Sequence, residues 1–446
     1  MTTAAISPTI AAYASEFAAV RASANSNSSS WLTSLRESAW AEFEKIGFPT
    51  TRRGNETWKY TDLGRLDRET FSRSFGEISL AEVKSAAPWS DDWQTAVVVD
   101  GKFVAGLSNN LSGAGVSVTE LEASAAADEA VIKSALGQVA KVEGNAFVAL
   151  NTALFSGGVF VNVAAGVETE QPVHIINIVT AGADNRASYP RTLVTAGANS
   201  KASVIESFIN LSDGPQFVVP VIEVSLGEGS TVTHYRIQLE NEKTIHLGTT
   251  RTVHPANAVF NSTSFATGPA IGRNDVHTLL AEPGAETTLH GLYITNGKSH
   301  QDNEISTTHE KPHGTSHQYY KGILAGKSRA VFSGRVVVKP GAMKTLAEQK
   351  DMNLMLSHGA EIDTKPSLEI YADDVKCAHG ATAGHVDKNM LFYLMSRGVS
   401  RHDAAFMLVA GFAGEIVDEF QPAQVSEFLY KKLETIIPGL DSEGIL

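Results

Sequence analysis

The sequence contains a single cysteine, and this cysteine lies close to a histidine in a pattern that could bind a metal. Cys377 and His379 are two positions apart within the segment Lys376–Thr382. In an extended strand their side chains would share one face with those of Asp373 and Val375, and the pair would lie about 6.6 to 6.8 Å apart along the chain. Iron accepts both thiolate and imidazole ligands. The pair is therefore a candidate iron site.

Two side chains cannot complete such a site. One cysteine excludes an internal disulfide and any zinc or cluster site built from several thiolates of this chain. Iron–sulfur clusters normally take four protein ligands, so the missing ligands would have to come from a second chain. A structural interpretation is equally open, in which Cys377 is a buried cysteine beside a hydrogen-bonded His379.

A second motif has the form of a zinc-protease site. The segment His309–His313 fits His-Glu-x-x-His, which needs both histidines on one face of a helix. Pro312 would break that helix at a cost of about 3 kcal/mol, so we reject this interpretation. His317 extends the series at four-residue steps, which return to the same face of a strand. We favour polar side chains lining strands and loops over a histidine metal site.

Charge and hydropathy exclude several classes of function. The chain has 49 acidic and 36 basic residues and a net charge of −13, which argues against nucleic acid or an anionic membrane surface as the main partner. No apolar run approaches the roughly 20 residues that span a bilayer. Residues 1–10 lack the basic and apolar regions of a secretory signal. We therefore expect a cytoplasmic protein.

The periodicity of apolar residues divides the chain into regions. Apolar residues at three- and four-residue steps predict a helix from Trp31 to Ile46, within an N-terminal helical domain over residues 1–90. A mixed segment over 91–143 connects it to a β core over 144–384, where short β-branched runs dominate. Helical periodicity returns in a C-terminal domain over 385–446.

Corners of one kind recur between the short strands of the β core. They are Ala196–Asn199, Leu226–Gly229, Glu282–Ala285, Lys339–Ala342 and Ser357–Ala360. So many strands need an architecture without long exposed edges, either a β-solenoid or a large sandwich. Because the corners are alike and hairpin dipeptides such as Asn296-Gly297 are rare in the region, we predict the solenoid. The expected fold is mainly β, with α-helical domains at both ends.

A solenoid would also suit an enzyme that acts on saccharides. Such an enzyme needs two carboxylates about 5 to 9.5 Å apart. The candidates are Glu361, Asp363, Asp373 and Asp374. The chain has no Walker-type phosphate loop, so we do not expect it to hydrolyse ATP. We predict that the chain is not an enzyme, with a saccharide enzyme or a histidine metal enzyme as the alternative.

Several separated motifs, in order, resemble those of the SufB/SufD family. They include Trp58–Thr61, Pro172–Ile175, Tyr320–Leu324, Lys376–Thr382, Ser396–Gly398 and Gly411–Ala413. The form Cys-Ala-His-Gly-Ala-Thr around Cys377 is most similar to the SufD branch of that family. The resemblance implies a right-handed parallel β-helix and a non-catalytic scaffold for iron–sulfur cluster assembly in the SUF system.

The resemblance also implies partners and a site. A SufB-like subunit would pair with this chain through the β-helices, and a nascent cluster would form at that interface with His379 and Cys377 as ligands. A SufC-like ABC ATPase would dock on the C-terminal helices, where Met407, Phe412 and Ile416 are the candidate contacts. A flavin is a further possible cofactor, and the resemblance leaves it open.

Overall fold

The computed structural model describes residues 8–23, 29–52, 55–113, 115–182 and 185–440. It is mainly β, with a β-solenoid core of about eight turns and helices at both termini, so the predicted fold class is confirmed. Residues 1–7 and 441–446, which belong to the predicted terminal domains, lie outside the described residues. Within the described ranges, the helices are all too short or too polar to cross a membrane.

Two sheets form the walls of the solenoid. The ten-stranded sheet contains, in spatial order, β2 (Lys102–Phe103), β1 (Gln94–Val99), β6 (Val173–Val179), β9 (Lys201–Asn210), β12 (Thr231–Leu239), β14 (Val259–Thr267), β16 (Glu286–Thr295), β18 (Thr315–Leu324), β20 (Leu346–Met355) and β22 (Lys376–Gly384). The twelve-stranded sheet contains β21 (Glu361–Ile370), β19 (Arg329–Val338), β17 (His300–His309), β15 (Ile271–Leu280), β13 (Thr244–His254), β11 (Val221–Leu226), β8 (Arg191–Ala196), β5 (Val159–Val163), β4 (Val116–Glu120) and β3 (Ser112–Gly113), with β10 (Gln216–Val218) and β7 (Arg186–Ser188) beside β13.

Neighbouring strands are parallel except at the first end of the solenoid. There β1 pairs with β2, β3 with β4, and β4 with β5 in antiparallel orientation. From β11 onward, consecutive strands alternate between the two sheets. Alternate side chains of each strand point inward; in β18, for example, Ser316, Gln318 and Tyr320 are buried. The interior therefore stacks polar as well as apolar side chains.

The recurring corners form a stack of left-handed residues. Asn199, Gly229, Asn257 and Gly284 have φ between 56° and 70° and follow one another at intervals of about 30 residues, in the usual range for one solenoid repeat. The backbone N–H of each donates to a carbonyl of the next turn, as from Asn199 to Glu228 at 2.8 Å. This stacking explains why the corners look alike in the sequence.

The N-terminal helices pack on the first turns of the solenoid. They are α1 (Pro8–Ser23), α2 (Ser30–Ile46), α3 (Leu80–Ala86), α4 (Leu121–Ser124), α5 (Glu129–Ala135) and α6 (Ala146–Leu154), with a short 3-10 helix at Glu56–Trp58. α2 ends at Gly47, whose φ is 62°, close to the predicted end. Apolar side chains of α1, α2 and α6 form one core with the start of the twelve-stranded sheet.

The sheets begin earlier in the chain than the predicted β core. β1 and β4 come from the segment 91–143, which we had expected to be a connection, and α6 is a helix inside the region 144–384. Asp100 and Gly101 both have positive φ and join β1 to β2, as Asp-Gly does in tight hairpins. This dipeptide is a local sequence signal for the hairpin between β1 and β2.

The C-terminal helices fold back over the outer face of the ten-stranded sheet. They are α7 (Lys388–Ser396), α8 (Arg401–Val417) and α9 (Ala423–Ile436). Ser400 caps α8, because its hydroxyl accepts the N–H of Asp403 at 3.1 Å. The helices bury apolar residues against side chains such as Tyr235 and Leu292 of the sheet.

Candidate metal centre at the open end of the solenoid

The last turn of the solenoid leaves both sheets open. β21 and β22 are terminal strands, and each pairs with one neighbour only, β19 and β20 respectively. Lys376 donates its backbone N–H to Thr345 at 2.9 Å, so the N–H groups of the alternate residues Cys377, His379 and Ala381 point away from β20. The edge of β22 therefore offers unpaired backbone groups to another strand.

The edge of β21 is less regular because it contains a proline. Glu361 donates its backbone N–H to Ser328, and Tyr371 donates to Val338, so the odd-numbered residues face β19. Pro366 consequently lies on the open side of the strand. Because proline has no N–H to donate, the row of donors is interrupted there. The edge of β22 is the more complete of the two.

Cys377 points into the open end of the solenoid. It lies opposite Ala347 of β20 and packs against Val336, Val338 and Ala342. Partial burial raises the pKa of the Cys377 thiol above its ordinary value. A hydrogen bond with the backbone of Ala347 lowers this pKa by a smaller amount. The isolated chain therefore holds a neutral thiol near neutral pH, and iron binding would require its deprotonation.

His379 lies on the same face of β22, two residues further along. It is exposed and lies opposite the buried Gln349 of β20. Within the described part of the chain, its ring has no hydrogen-bond or ionic partner. The imidazole is therefore accessible to a ligand, and no neighbouring side chain in the described ranges fixes its orientation.

The inner surface behind these two residues is polar. Asp351 of β20 lies opposite Ala381, is completely buried, and accepts a hydrogen bond from Asn353 at 2.7 Å. Burial raises the pKa of Asp351 to about 6. The open end therefore has a buried carboxyl group one strand behind Cys377 and His379.

The extended strand starts later than the sequence suggested. Asp373 and Asp374 lie in a bend before β22, and Asp374 has a φ of 54°. The carboxylate of Asp374 forms an ion pair with Lys344 of the preceding turn. Asp373 therefore lies in the corner before the strand, whereas Val375 packs against the same apolar cluster as Cys377.

The histidine series does not converge on one site. His309 is buried at the end of β17, 2.9 Å from the Ser316 hydroxyl, whereas His313 follows in a turn with a φ of 64°. His317 is 3.3 Å from Glu348. The described residues contain no group of three or more histidine, cysteine, aspartate or glutamate side chains placed to hold a metal. The segment His309–His313 is not helical, as Pro312 predicted.

The acidic residues considered for saccharide chemistry are mostly engaged. Nε and Nη2 of Arg329 donate to Asp363 at 3.0 and 2.5 Å, and Nη2 also lies 3.4 Å from Glu361. Asp374 is paired with Lys344. Three of the four candidate carboxylates therefore neutralise basic side chains, which gives this alternative no support.

The three candidate contacts on α8 occupy different environments. Met407 is 52% exposed, Phe412 is partly buried, and Ile416 is fully buried against the ten-stranded sheet. The Lys321 ammonium lies 4.3 Å above the ring of Phe412 and donates to its carbonyl at 2.9 Å. In this structure Met407 alone of the three is open to a partner, and Ile416 holds α8 on the sheet.

A larger apolar surface lies on α7, and the sequence analysis missed it. Met390, Phe392, Tyr393 and Met395 are 40% to 71% exposed, although they lie on a nine-residue helix. A cavity of about 610 Å³ next to them is lined by residues that include Phe392, Met395 and Leu391. We call Met390, Phe392, Tyr393 and Met395 the α7 surface. Helical periodicity predicted this helix, but not which of its faces stays uncovered.

Comparisons with known proteins cover nearly the whole chain. Residues 178–412 match the family model described as SUF system FeS cluster assembly, SufBD core domain, and residues 8–175 match the SufBD protein N-terminal region. The iron–sulfur cluster assembly protein SufD of Escherichia coli (strain K12) is 29% identical over 397 residues, which cover 89% of this chain and 90% of that protein.

Two further relatives cover most of both chains. An iron–sulfur cluster assembly SufBD family protein of Synechocystis is 32% identical over 384 residues, covering 83% of this chain and 84% of that protein. The iron–sulfur cluster assembly protein SufB of Bacillus subtilis (strain 168) is 24% identical over 351 residues, covering 77% and 73%.

Proposed function

Because the chain belongs to the SufB/SufD family of SUF system iron–sulfur cluster assembly proteins, we propose that it is a non-catalytic scaffold subunit. It pairs with a SufB-like chain through the open end of its solenoid and contributes His379 and Cys377 to a nascent cluster that the two chains share. A SufC-like ATPase binds its C-terminal helices. The proposal places the protein in the cytoplasm, where the sequence led us to expect it.

The observation that carries this proposal is the position of Cys377 and His379 on an open edge strand. One exposed imidazole and one partly buried thiol supply at most two of the four ligands that a cluster normally takes. The unpaired backbone of β22 lies beside both side chains, so a strand that joined this edge would bring its own side chains next to them. The cluster is the cargo of this site and not a resident cofactor.

The α7 surface supports the ATPase contact. Exposed apolar patches on folded proteins commonly mark interaction sites, and this one lies with Met407 in the C-terminal helical region. In the proposal, Met407 and the α7 surface make the apolar contact, whereas Ile416 only positions α8. The comparisons name no flavin, and the proposal does not include one.

Co-purification tests the two partners. The tagged chain, expressed with a SufB-like and a SufC-like protein from the same organism, should retain both. Phe392→Asp on the α7 surface should release the ATPase and leave the second solenoid chain bound. If the wild-type chain retains neither protein, the scaffold proposal is wrong.

His379→Ala tests the shared site. We expect the complex to assemble while its reconstituted iron and sulfide content, and its visible cluster absorption, fall at least tenfold, because an imidazole ligand is lost without any change to backbone pairing. His317→Ala is the matched control, since His317 is a partly exposed histidine of the same sheet in contact with Glu348. If a His379→Ala, Cys377→Ala double variant keeps its cluster content, the two residues have only a structural role.

A further inference from the structure

A second polar site lies between the N-terminal region and the outer face of the twelve-stranded sheet. It is a cavity of about 390 Å³ that Trp58, Asn145 and Phe147 line on one side. On the other side it is lined by charged residues of β13, β15, β17 and β19, namely Arg251, Arg273, Asp275, His277, Glu304 and Arg335. None of its lining residues belongs to β21 or β22, so this cavity is separate from the candidate metal centre.

Arg273 is the central cation of this cavity, and it is only partly satisfied. Its Nη1 pairs with Asp302, whereas its Nε is buried and has no hydrogen-bond acceptor among the described residues. Its Nη2 forms a long ion pair with Glu304, at 3.6 Å. The whole side chain is 3% exposed. A buried polar atom without a partner needs an explanation, and an acceptor from outside the chain would supply one.

Two neighbouring arginines show what the Nε and Nη2 atoms of a guanidinium group bind in this protein. Nε and Nη2 of Arg329 hold Asp363, and Nε and Nη2 of Arg335 hold Glu369 at 2.7 and 3.1 Å. Each of these arginines binds a carboxylate through Nε and Nη2, and Nε is the nitrogen of Arg273 that has no acceptor among the described residues. Such paired contacts are specific for planar carboxylates and for phosphates.

The orientation of Arg273 is fixed before any ligand binds. Its guanidinium carbon lies 4.1 Å from the centre of the Trp58 ring, and Trp58 in turn packs on Phe147 with ring centres 5.4 Å apart. Thr61 donates to Asp302 at 2.5 Å and so holds the partner of Nη1 in place. A guanidinium held in this way loses little further freedom on binding an anion.

The other charges at the cavity leave room for an anion. Arg251 donates to Asp275 at 3.0 Å, and Arg335 is paired with Glu369 but is still half-exposed. Burial raises the pKa of Glu304 to about 7, so its carboxyl group is partly protonated at neutral pH and can donate to an anion. The three arginines of the lining are thus paired with Asp275, Asp302 and Glu369, and the remaining carboxyl group, that of Glu304, carries an incomplete negative charge at neutral pH.

We propose that this cavity binds a small organic anion whose carboxylate or phosphate group is held by the guanidinium group of Arg273, with Arg335 as a second contact. The volume lies within the range of small-molecule sites and exceeds what a single inorganic ion needs. The inference does not depend on the proposed scaffold function, because no residue of the open end takes part.

Calorimetric titration of the full-length chain tests this site. Inorganic phosphate and citrate are the two probes, each compared with sodium chloride at the same ionic strength. We expect saturable binding of at least one probe. Preference for phosphate would assign the ligand class to phosphate esters, and preference for citrate would assign it to carboxylates. If neither anion binds saturably up to tens of millimolar, the proposal is wrong.

Arg273→Lys is the decisive variant, because lysine keeps the charge beside Asp302 but loses the paired nitrogens. We expect at least tenfold weaker binding, with a far-ultraviolet circular dichroism spectrum like that of the wild type. Arg329→Lys is the matched control, since it removes the same geometry from an arginine that does not line the cavity; binding should not change.

Arg335→Gln keeps the test decisive if Arg273→Lys does not fold. Arg335 is half-exposed, so its loss should leave the fold intact and weaken binding several-fold. If the cavity variants that fold bind the anion as tightly as the wild type does, the proposal is wrong. The bound anion is then an adventitious ion only.

Discussion

Cys377 and His379 share one face of β22 but differ in what surrounds them. The thiol packs on the apolar end of the solenoid interior and is kept neutral by burial, whereas the imidazole is exposed. Iron at this site would reach the imidazole of His379 directly, whereas Cys377 would have to lose its thiol proton before it could bind as a thiolate. Their spacing in the sequence predicted that the two residues share one face of a strand, but it could not show that this strand is the last of the solenoid.

Glu304 provides a pH-dependent test at the scale of one residue. Its pKa is about 7 in the folded chain, chiefly because of burial, compared with 4.5 in the unfolded chain. The folded state therefore holds a proton more tightly, and stability is lost as the pH rises from about 4.5 to 7. We expect Glu304→Gln to raise the free energy of unfolding relative to wild type by about 2 to 3 kcal/mol at pH 8 and by little at pH 4.5.

Urea unfolding of both proteins at the two pH values measures this difference. Glu310→Gln is the control, because Glu310 is exposed in the turn after β17. Its effect should be the same at both pH values. An equal effect of Glu304→Gln at pH 4.5 and pH 8 would show that Glu304 titrates normally.

At the scale of elements, α8 is joined to the solenoid by one buried lysine. Lys321 of β18 donates to the carbonyl of Phe412 and pairs with Glu415 at 2.6 Å, while its side chain is 1% exposed. We expect Lys321→Met to destabilise the packing of α8 by about 1 to 3 kcal/mol, since a charged hydrogen bond is lost at a buried site. Hydrogen exchange of the amides of α8 measures the change.

Lys431→Met serves as the control for this prediction. Lys431 is an exposed residue of α9, and substitutions at such sites usually change stability by less than about 0.5 kcal/mol. If exchange in α8 is the same in Lys321→Met as in the control, then the apolar contacts of Ile416 and its neighbours suffice to hold the helix.

The sequence predicted which segments form helices, strands and corners better than it predicted which elements pack against each other. Glycine corners indicated a solenoid because most of them contain a left-handed residue, namely Asn199, Gly229, Gly284 or Gly341, and this requirement is local. By contrast, β1 and β4 join the sheets through partners that are distant in sequence, which strand patterns do not identify. Ile416 and Met407 lie on one helix with similar apolar character, yet only the packing of the sheet decides which of them is buried.

At the scale of the whole molecule, the open edge of β22 can be tested without changing the fold. Ala381 is exposed, and its N–H points away from β20, so Ala381→Pro removes a donor that pairs with nothing within the described chain. We expect the melting temperature to stay within a few degrees of wild type while pairing with the SufB-like chain is lost in size-exclusion chromatography.

Ala378→Pro is the contrasting variant, because the N–H of Ala378 faces β20. It should lower the melting temperature, since a bond inside the sheet is broken. If Ala381→Pro pairs as well as the wild type does, the second chain binds elsewhere on the molecule.

The two ends of the solenoid are unlike, and this limits how large an assembly can become. The first end finishes in the two-residue strands β2 and β3, both antiparallel to their neighbours, and the N-terminal helices pack on the adjoining turns. A repeat protein with two bare ends could stack into a filament of unlimited length, as head-to-tail contacts that never close tend to do. With one bare end among the described residues, strand addition at the ends of the solenoid would stop at a pair of solenoids.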